Sequence, residues 1–426
     1  MDADVVVVGA GLAGLRCATE LLRAGHEVIV LEAAEEVGGR IRTDRVDGFQ
    51  VDRGFQLLNP AYPAVRRWVD TGALRLGTFE AGVAALTDER LLRLCHPLRA
   101  PGLLAATVRG VAGSARDLPG VARWLRPLVH RPGTRHLEAV TRRPDLSLAD
   151  SLDLAGVDGT LRRVLERFFA GVLLDDTGSS SAAFARLLAA TFAAGDPGLP
   201  AAGMQALPHQ LAALLGVRVR LGVAARRLDA RCSEFVFATD DGHLRSRHVV
   251  VATGPVEAAT LASLPAVPMH GVVTHWYATQ DEPTTHRVLH VDARPRPTGP
   301  LVNTAVITHA APTYAPPGWH LIEASALLGP DRPRPSEPAM RRHAAELLGP
   351  GAAGFADWQS IARHEVPHAL PAQSVPLAVA QPVVLDNGVV VCGDHRDTAS
   401  IQGALVSGHR AARNVAARLG SQVVGR

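Results

Sequence analysis

The chain contains no lysine. All 44 basic side chains are arginine, so no residue offers the amine that a Schiff base or a lysine general base requires. A GC-rich coding bias accounts for the pattern, and its chemical consequence stands regardless. Against the arginines stand 41 acids, for a net charge of +3. The two signs are interspersed rather than blocked, so no nucleic-acid partner is expected. Cysteine is scarce: Cys17, Cys95, Cys232 and Cys392 are scattered, without a CxxC pair or a metal-ligand spacing. Neither disulfides nor a metal site is expected, and a reducing cytoplasm is. No uncharged apolar run reaches the about 18 residues that a spanning helix needs. Val5–Val8 follows two acids with no basic segment before it, so no secretory leader is expected. His364-Glu365-Val366-Pro367-His368 spells HExxH, but Pro367 opposes the helix that this zinc motif requires, which leaves hydrolase and metalloenzyme readings without support.

What is present begins at once. Val5–Val8 is a short apolar run that leads into Gly9-Ala10-Gly11-Leu12-Ala13-Gly14, followed by a helical stretch to Ala24. A second run, Val28–Leu31, ends on Glu32, 18 positions after Gly14, and is followed by Gly38-Gly39-Arg40. This is a strand, a glycine turn, a helix and a strand closed by an acid, the arrangement that binds the ADP half of a dinucleotide. Gly9 permits the sharp turn, Gly11 leaves room for a pyrophosphate, and Gly14 lets the helix pack against the sheet. The helix starting near Leu12 points free N–H groups at the phosphates. Glu32 accepts from the ribose hydroxyls and repels a 2′-phosphate. Arg40 presents a planar fork to phosphate oxygens.

With 426 residues, 47% of them apolar, the chain has room for two or three domains. The βαβ unit runs to about residue 58. From Asn59 to about Pro200 the pattern is mostly helical, clearest at Leu103–Val111, Leu161–Phe169 and Ala182–Phe192. A helix is expected at Leu207–Leu215. Strands are expected at Arg218–Leu221, Glu234–Ala238 and Val249–Ala252, with Asp240-Asp241-Gly242 as a hairpin turn. Val272–Thr279, Leu301–Thr308 and Leu321–Ala326 read as antiparallel strands, and Arg341–Leu348 as a helix. Val389–Cys392 reads as a buried strand, followed by the turn Gly393-Asp394 and a helix over Gln402–Leu419. That last segment is a second strand–turn–helix with an acid after the strand. Asp394 suits a ribityl hydroxyl or a phosphate-linked water. The helix N-terminus suits an electron-rich ring edge, as in a reduced flavin.

Together these motifs resemble the FAD-dependent amine oxidase and phytoene desaturase superfamily, which includes the protoporphyrinogen oxidases. The resemblance extends over nearly the whole chain. It runs through Gly9–Gly14, Glu32, Gly38–Arg40, Gly48-Phe49, Asp52-Arg53-Gly54-Phe55-Gln56 and Phe168–Val172. It continues in Gly203-Met204-Gln205-Ala206-Leu207-Pro208, Val223, Ala252-Thr253-Gly254, Tyr314-Ala315-Pro316, Ala369-Leu370-Pro371 and Gly393–Gly408. It implies an α/β fold, α+β overall. A discontinuous Rossmann-like FAD-binding domain with a central parallel sheet would comprise residues 1–58, 200–260 and 385–426. A substrate domain of antiparallel sheet and helical insert would comprise 59–199 and 261–384. It implies non-covalent FAD held by Gly9, Gly11, Leu12, Ala13, Gly14, Glu32, Ala33, Gly39 and Arg40. Gly54, Phe55 and Gln56, beside the isoalloxazine, with Val223 near the adenine and Gly254, would add to the site. Gly393, Asp394, Ser400, Ile401, Gln402 and Ala404 would complete it.

The chain departs from that pattern in two ways. The family's amine oxidases carry a lysine that holds a water at the flavin. They also place an aromatic cage residue where Ser400 or Ile401 stands here, and aromatics are only 4% of this chain. Both departures favour desaturation or dehydrogenation of an apolar organic substrate over amine oxidation, with dioxygen or a quinone-like acceptor as the oxidant. Cys392 precedes the Gly-Asp turn and is not at a covalent attachment position. The acid–base candidates are His395, His368, His275 and Tyr277, with Asp397 beside the first of them. His275 and Tyr277 are expected on a pocket-lining strand. Leu103–Leu128 reads as a core-facing helix, or as a lid touching a membrane surface. The alternative of another class is a non-catalytic escort protein on the same fold.

Overall fold

The computed structural model describes residues 1–95, 107, 116–129, 144–230, 234–240 and 242–424. Strand β1 (Ala3–Val8) lies at the centre of a seven-stranded sheet. It is parallel to β2 (Val28–Leu31) on one side and to the strand Gly242–Val251 on the other. Val5, Val6 and Val7 are fully buried. That is why this strand reads as a continuous apolar run: a central parallel strand is covered on both faces. Val219–Arg220 extends the parallel order beyond β2, and Val390–Val391 joins the end of Gly242–Val251. Ala225–Ala230 and Phe235–Thr239 form an antiparallel meander leading into it.

Helix α1 (Leu12–Arg23) and the C-terminal helix Ile401–Val424 cross on one face of this sheet. The crossing is very close. A Cβ on Gly408 would stand 2.3 Å from the Ala13 carbonyl oxygen. His409 Nδ1 meets Glu20 Oε2 at 2.7 Å across the same contact.

A second seven-stranded sheet is mostly antiparallel. Its order begins with Gln359–Pro371 at one edge, then Met269–Thr279, His320–Leu328, Leu301–Val306 and Leu289–Asp292. Gly82–Leu86 and Leu91–Cys95 close the other edge. Helix Glu337–Leu348 covers one face, packing Met340 and Ala344 on Val273, Tyr277, Ile322 and Ala324. The opposite face sends Trp276, Ala278, Ala305 and Leu321 into the main core, alongside Val51, Leu58 and Tyr314.

Most expected elements are present, several of them longer than expected. The expected 272–279 strand begins at Met269, and the expected helix at 402 runs to Val424. Two expectations need correction. The segment read as a helical insert also contains strands Leu76–Thr78, Gly82–Leu86 and Leu91–Cys95, short pieces of mixed polarity without a helical or strict two-residue period. The 13-residue strand Gln359–Pro371 was not anticipated. It contains Pro367 and Pro371, which an edge strand tolerates because its outer N–H groups need no ladder partner. The expected helix Leu103–Val111 falls outside the described residues except for Thr107, as do Asp241 in the expected turn and Cys232. Of the stretch read as a core-facing helix or a lid, the described part is largely the helix Leu118–Val129, with Trp124 buried.

Candidate active site

The glycine turn after β1 is set by contacts that exclude side chains. Gly9 has φ +106°, and a Cβ there would lie 2.7 Å from the Ala252 carbonyl oxygen. A Cβ on Gly14 would lie 2.0 Å from the Gly9 carbonyl oxygen. Gly11 differs: among the described residues no atom lies within 4 Å of where its Cβ would stand. Two of the glycines are therefore required by the fold, while the third keeps a space clear. Gly11 is the N-cap of α1, with no side-chain cap and no acid in the first turn. The free N–H groups and positive dipole end are left for an anion. Gly38 N–H donates to the Ala10 carbonyl at 2.9 Å, which brings the second glycine pair beside the first, and Gly39, at φ +60°, is exposed there.

Glu32 is held at the end of β2. Its Oε2 accepts from Ala10 N at 2.7 Å and its Oε1 from Ala34 N at 3.0 Å. A carboxylate has about four acceptor sites, so two such bonds orient it and leave others for hydroxyls. Its backbone carbonyl accepts from Val223 N at 2.9 Å. Val223 thus lies beside Glu32, with Ala33 exposed next to it. Gly254 lies just beyond Ala252, as the N-cap of helix Pro255–Ala262.

Arg40 and Asp394, 354 residues apart, form one joint. Arg40 Nη2 donates to Asp394 Oδ1 at 2.5 Å and Nη1 to the Ala369 carbonyl at 2.9 Å. The Asp394 side chain is 7% exposed and the Arg40 side chain 33%. Gln56 Nε2 donates to the Arg40 carbonyl at 2.8 Å, which ties Gly54–Gln56 to the same point. On the other side Gly393 N–H donates to Ser407 Oγ at 3.0 Å. Ser400 Oγ accepts from Gly403 N at 3.2 Å, capping the C-terminal helix, whose first turn also contains Ile401, Gln402 and Ala404. A Cβ on Gly403 would lie 1.9 Å from the Thr398 carbonyl oxygen. A long ligand seated on Glu32, Gly11 and Gly39 would continue past the Arg40–Asp394 joint. It would then lie between Gly54–Gln56 and the helix start at Ser400–Gln402. The second sheet roofs that space: a Cβ on Gly54, at φ +90°, would stand 3.7 Å from Val272 Cγ1 and 3.9 Å from Val366 Cγ2. The open side of Gly11, the uncapped helix end and the oriented carboxylate fit the phosphates and ribose of FAD.

The acid–base candidates separate. His395 is buried beside Asp394, and its two ring nitrogens have no hydrogen-bond partner among the described residues. Burial pulls its pKa down to about 4, so the ring is neutral at pH 7. Asp397 is buried and its pKa is raised by burial; its Oδ2 takes a bond from Arg410 Nη1 at 3.3 Å. His368 is exposed, one residue before the Ala369 carbonyl that receives Arg40. His275 and Tyr277 face away from the cradle, against the covering helix. Their rings stack at 6.0 Å, and the Arg341 guanidinium carbon lies 5.2 Å from the Tyr277 ring centre. The two-residue alternation of the strand explains this: Val272, Thr274 and Trp276 face inward, so 275 and 277 face outward.

Three segments far apart in the chain, around Asp52, Met204 and Tyr314, meet at one carboxylate. Asp52 Oδ1 accepts from Thr43 Oγ1 at 2.5 Å and from Met204 N at 3.0 Å, and Oδ2 accepts from the Tyr314 hydroxyl at 2.9 Å. Burial pushes Asp52 up to about 6 despite these bonds. Gln205 extends the clamp, taking Thr43 N at 3.1 Å and giving Nε2 to the Val37 carbonyl at 3.0 Å. The hairpin of β3 (Thr43–Val46) and β4 (Phe49–Asp52), which leads into Gly54, is thereby fixed. His270 was also missed. It is half-buried on Met269–Thr279, two residues before Val272. It shares a strand face with Val272 and Trp276, which the fold rather than the sequence identifies as the inner one.

Comparison with known proteins bears on this arrangement. The family described as flavin containing amine oxidoreductase matches residues 12–416. A Mycobacterium tuberculosis protein named as a flavin-containing monoamine oxidase, AofH, is 31% identical over 306 residues, covering 64% of this chain and 62% of that protein. The chain thus spans less than two thirds of that relative's length. An oxidoreductase from Methanosarcina mazei has the same fold, with a TM-score of 0.72 at 18% identity, covering 95% of this chain and 99% of that one. Putrescine oxidase, solved with putrescine bound, follows at 0.66 and 19%, covering 98% and 99%. The family match takes in nearly the whole chain, and this chain belongs to the flavin containing amine oxidoreductase family.

Proposed function

We propose that this chain binds FAD non-covalently and removes a hydride from a C–H or N–H bond of an apolar organic substrate, a desaturation or dehydrogenation. The observation that carries the reading is the Arg40–Asp394 joint, which makes the phosphate cradle and the C-terminal helix start a single surface. Bound there, FAD supplies the hydride acceptor. The chain's own groups orient it: Glu32 for the ribose, the α1 N-terminus for the phosphates, and the start of Ile401–Val424 for the ring edge where negative charge develops. His395, neutral and without a ring partner among the described residues, adjoins Asp394 in the chain and is the proton acceptor of this reading. Non-covalent binding is supported by Cys392, which is buried and whose thiol is pushed up to about 12.

On this reading residues 1–58, 200–260 and 385–426 form the cofactor-binding part, and 59–199 with 261–384 the substrate-binding part. The electron acceptor is dioxygen or a quinone-like carrier, and the scarcity and scatter of cysteine support a cytoplasmic location. Among the described residues no helix is long and apolar enough to cross a membrane.

A second reading, amine oxidation with dioxygen, is favoured by the likeness to AofH. It is disfavoured by the absence of lysine. Anaerobic mixing with candidate amines and with unsaturated or partly saturated apolar compounds, followed by air, separates the two. Bleaching of the flavin by the apolar compounds and not by amines is expected; bleaching by amines alone, with peroxide released in air, would replace the first reading with the second.

A further inference from the structure

We propose that a bulge in the edge strand of the second sheet holds Arg40 in place for the FAD phosphates, and that Gly271, on the neighbouring strand, is the positioning residue that makes room for it. The proposal rests on the flavin reading above and adds Gly271, Pro367 and Ala369 to the residues that serve that site.

The ladder between Met269–Thr279 and Gln359–Pro371 is broken at this point. Met269 and His270 pair with Pro371 and Leu370, while Val272 and Val273 pair with Val366 and Glu365. Gly271 alone thus stands opposite Pro367, His368 and Ala369, and none of these takes part in this ladder. Extra residues on one strand bend it and re-aim the groups they carry. Here the Ala369 carbonyl accepts from Arg40 Nη1 at 2.9 Å, while Arg40 Nη2 donates to Asp394 Oδ1 at 2.5 Å. The two bonds fix the plane of the guanidinium and leave further N–H groups of the fork for phosphate oxygens.

The local sequence suits the break. Pro367 has no N–H to give to a ladder, and both Pro367 and His368 are exposed. Across from them, a Cβ on Gly271 would stand 2.9 Å from the Pro367 carbonyl oxygen. It would also stand 3.0 Å from Leu328 Cβ, on the strand at its other side. A methyl group at 271 has nowhere to go without displacing the bulge. The paired residues just before the break meet the cofactor side, since Val272 and Val366 are the side chains that approach Gly54. Gln56 Nε2 donates to the Arg40 carbonyl at 2.8 Å. Arg40 is therefore held at its backbone by the loop after β4, and at its side chain by Asp394 and the edge strand.

The test removes the hold in two ways. Deleting Pro367 and His368 leaves one residue opposite Gly271 and lets the ladder run on. Gly271→Ala presses on the bulge from the neighbouring strand. FAD affinity is measured by fluorescence titration of the apoprotein, and folding by its melting temperature without FAD. The deletion is expected to weaken FAD binding about tenfold, what one hydrogen bond to a charged group contributes, while the apoprotein melts no lower than wild type. Gly271→Ala should weaken binding by a similar factor, and the deletion serves if that variant precipitates. In an Arg40→Ala background neither change should weaken FAD binding further, because the carbonyl acts through that guanidinium. An FAD affinity unchanged by the deletion, or reduced as much in the Arg40→Ala background as in wild type, would overturn the proposal. A wild-type protein that takes up no FAD contradicts the underlying flavin reading instead, and that is visible before any variant is made.

Discussion

Gly11 and Gly14 belong to one motif and fail differently when a methyl group is added. At Gly14 the new Cβ would be 2.0 Å from backbone, while at Gly11 it would meet open space. Gly14→Ala is therefore expected to yield little folded protein. Gly11→Ala should melt within a few degrees of wild type without FAD, yet bind FAD at least tenfold more weakly. Differential scanning fluorimetry with and without FAD distinguishes these outcomes. Glu32 gives a second test at this scale. Its carboxylate is oriented by Ala10 and Ala34 N–H groups. Glu32→Ala should weaken FAD binding by about 2–4 kcal/mol, the worth of one or two charge-assisted bonds. An unchanged FAD affinity, measured by fluorescence titration of the apoprotein, would mean that the acid does not reach the ribose.

At the scale of elements, the crossing of α1 and Ile401–Val424 closes the cradle. The Gly408 Cα lies against the Ala13 carbonyl, so Gly408→Ala must push the helices apart. Overpacking of this kind costs about 1–3 kcal/mol. The variant is expected to lose stability by that amount in urea unfolding and to release FAD more readily, since Asp394 and Ser400 move with the helix. These two helices and β1 were legible in the sequence because a two-sided core and glycine punctuation leave strong marks. Gln359–Pro371 was not legible: one edge and much of one face are exposed, so its pattern is polar and interrupted by proline. The side on which His275 and Tyr277 fall was misjudged for a related reason. Both faces of Met269–Thr279 are buried, so no polar–apolar alternation reveals which face points to the cradle. The Asp52 clamp was not legible either, because Thr43, Met204 and Tyr314 meet only through the tertiary fold.

For the whole molecule, burial of imidazoles sets the response to acid. Burial pulls His290 down to about 3 and His395 to about 4, and it lowers His248, His270, His275, His286, His309 and His364. In the unfolded chain these rings titrate near 6.5. Below that value the unfolded chain binds more protons than the folded one, so stability falls as pH drops from about 6.5 toward 4. Asp175 adds to the loss further down. Burial raises it, but hydrogen bonds from Thr177 and Ser180 outweigh this and hold it at about 2, so its stabilising contribution fades as pH falls below about 4. Asp52 opposes the trend: raised to about 6, it keeps its proton in the fold and loses stability as pH rises from about 4 to 6. Asp397 and Glu323, also raised by burial, act in the same direction as Asp52, and the eight imidazoles outnumber these three carboxyls. The melting temperature is therefore expected to fall steadily from pH 7 to pH 5, and a flat or rising profile would show that the rings are not buried neutral.

The proposed FAD site is a cradle built from both ends of the chain that holds one dinucleotide without a covalent bond. The most direct test is to record the absorption spectrum of the purified protein, denature it, and identify the nucleotide in the filtrate. The expected result is a yellow protein that releases intact FAD and leaves a colourless polypeptide. A colourless protein that takes up no added FAD would contradict the cradle, and flavin retained on the denatured chain would contradict non-covalent binding.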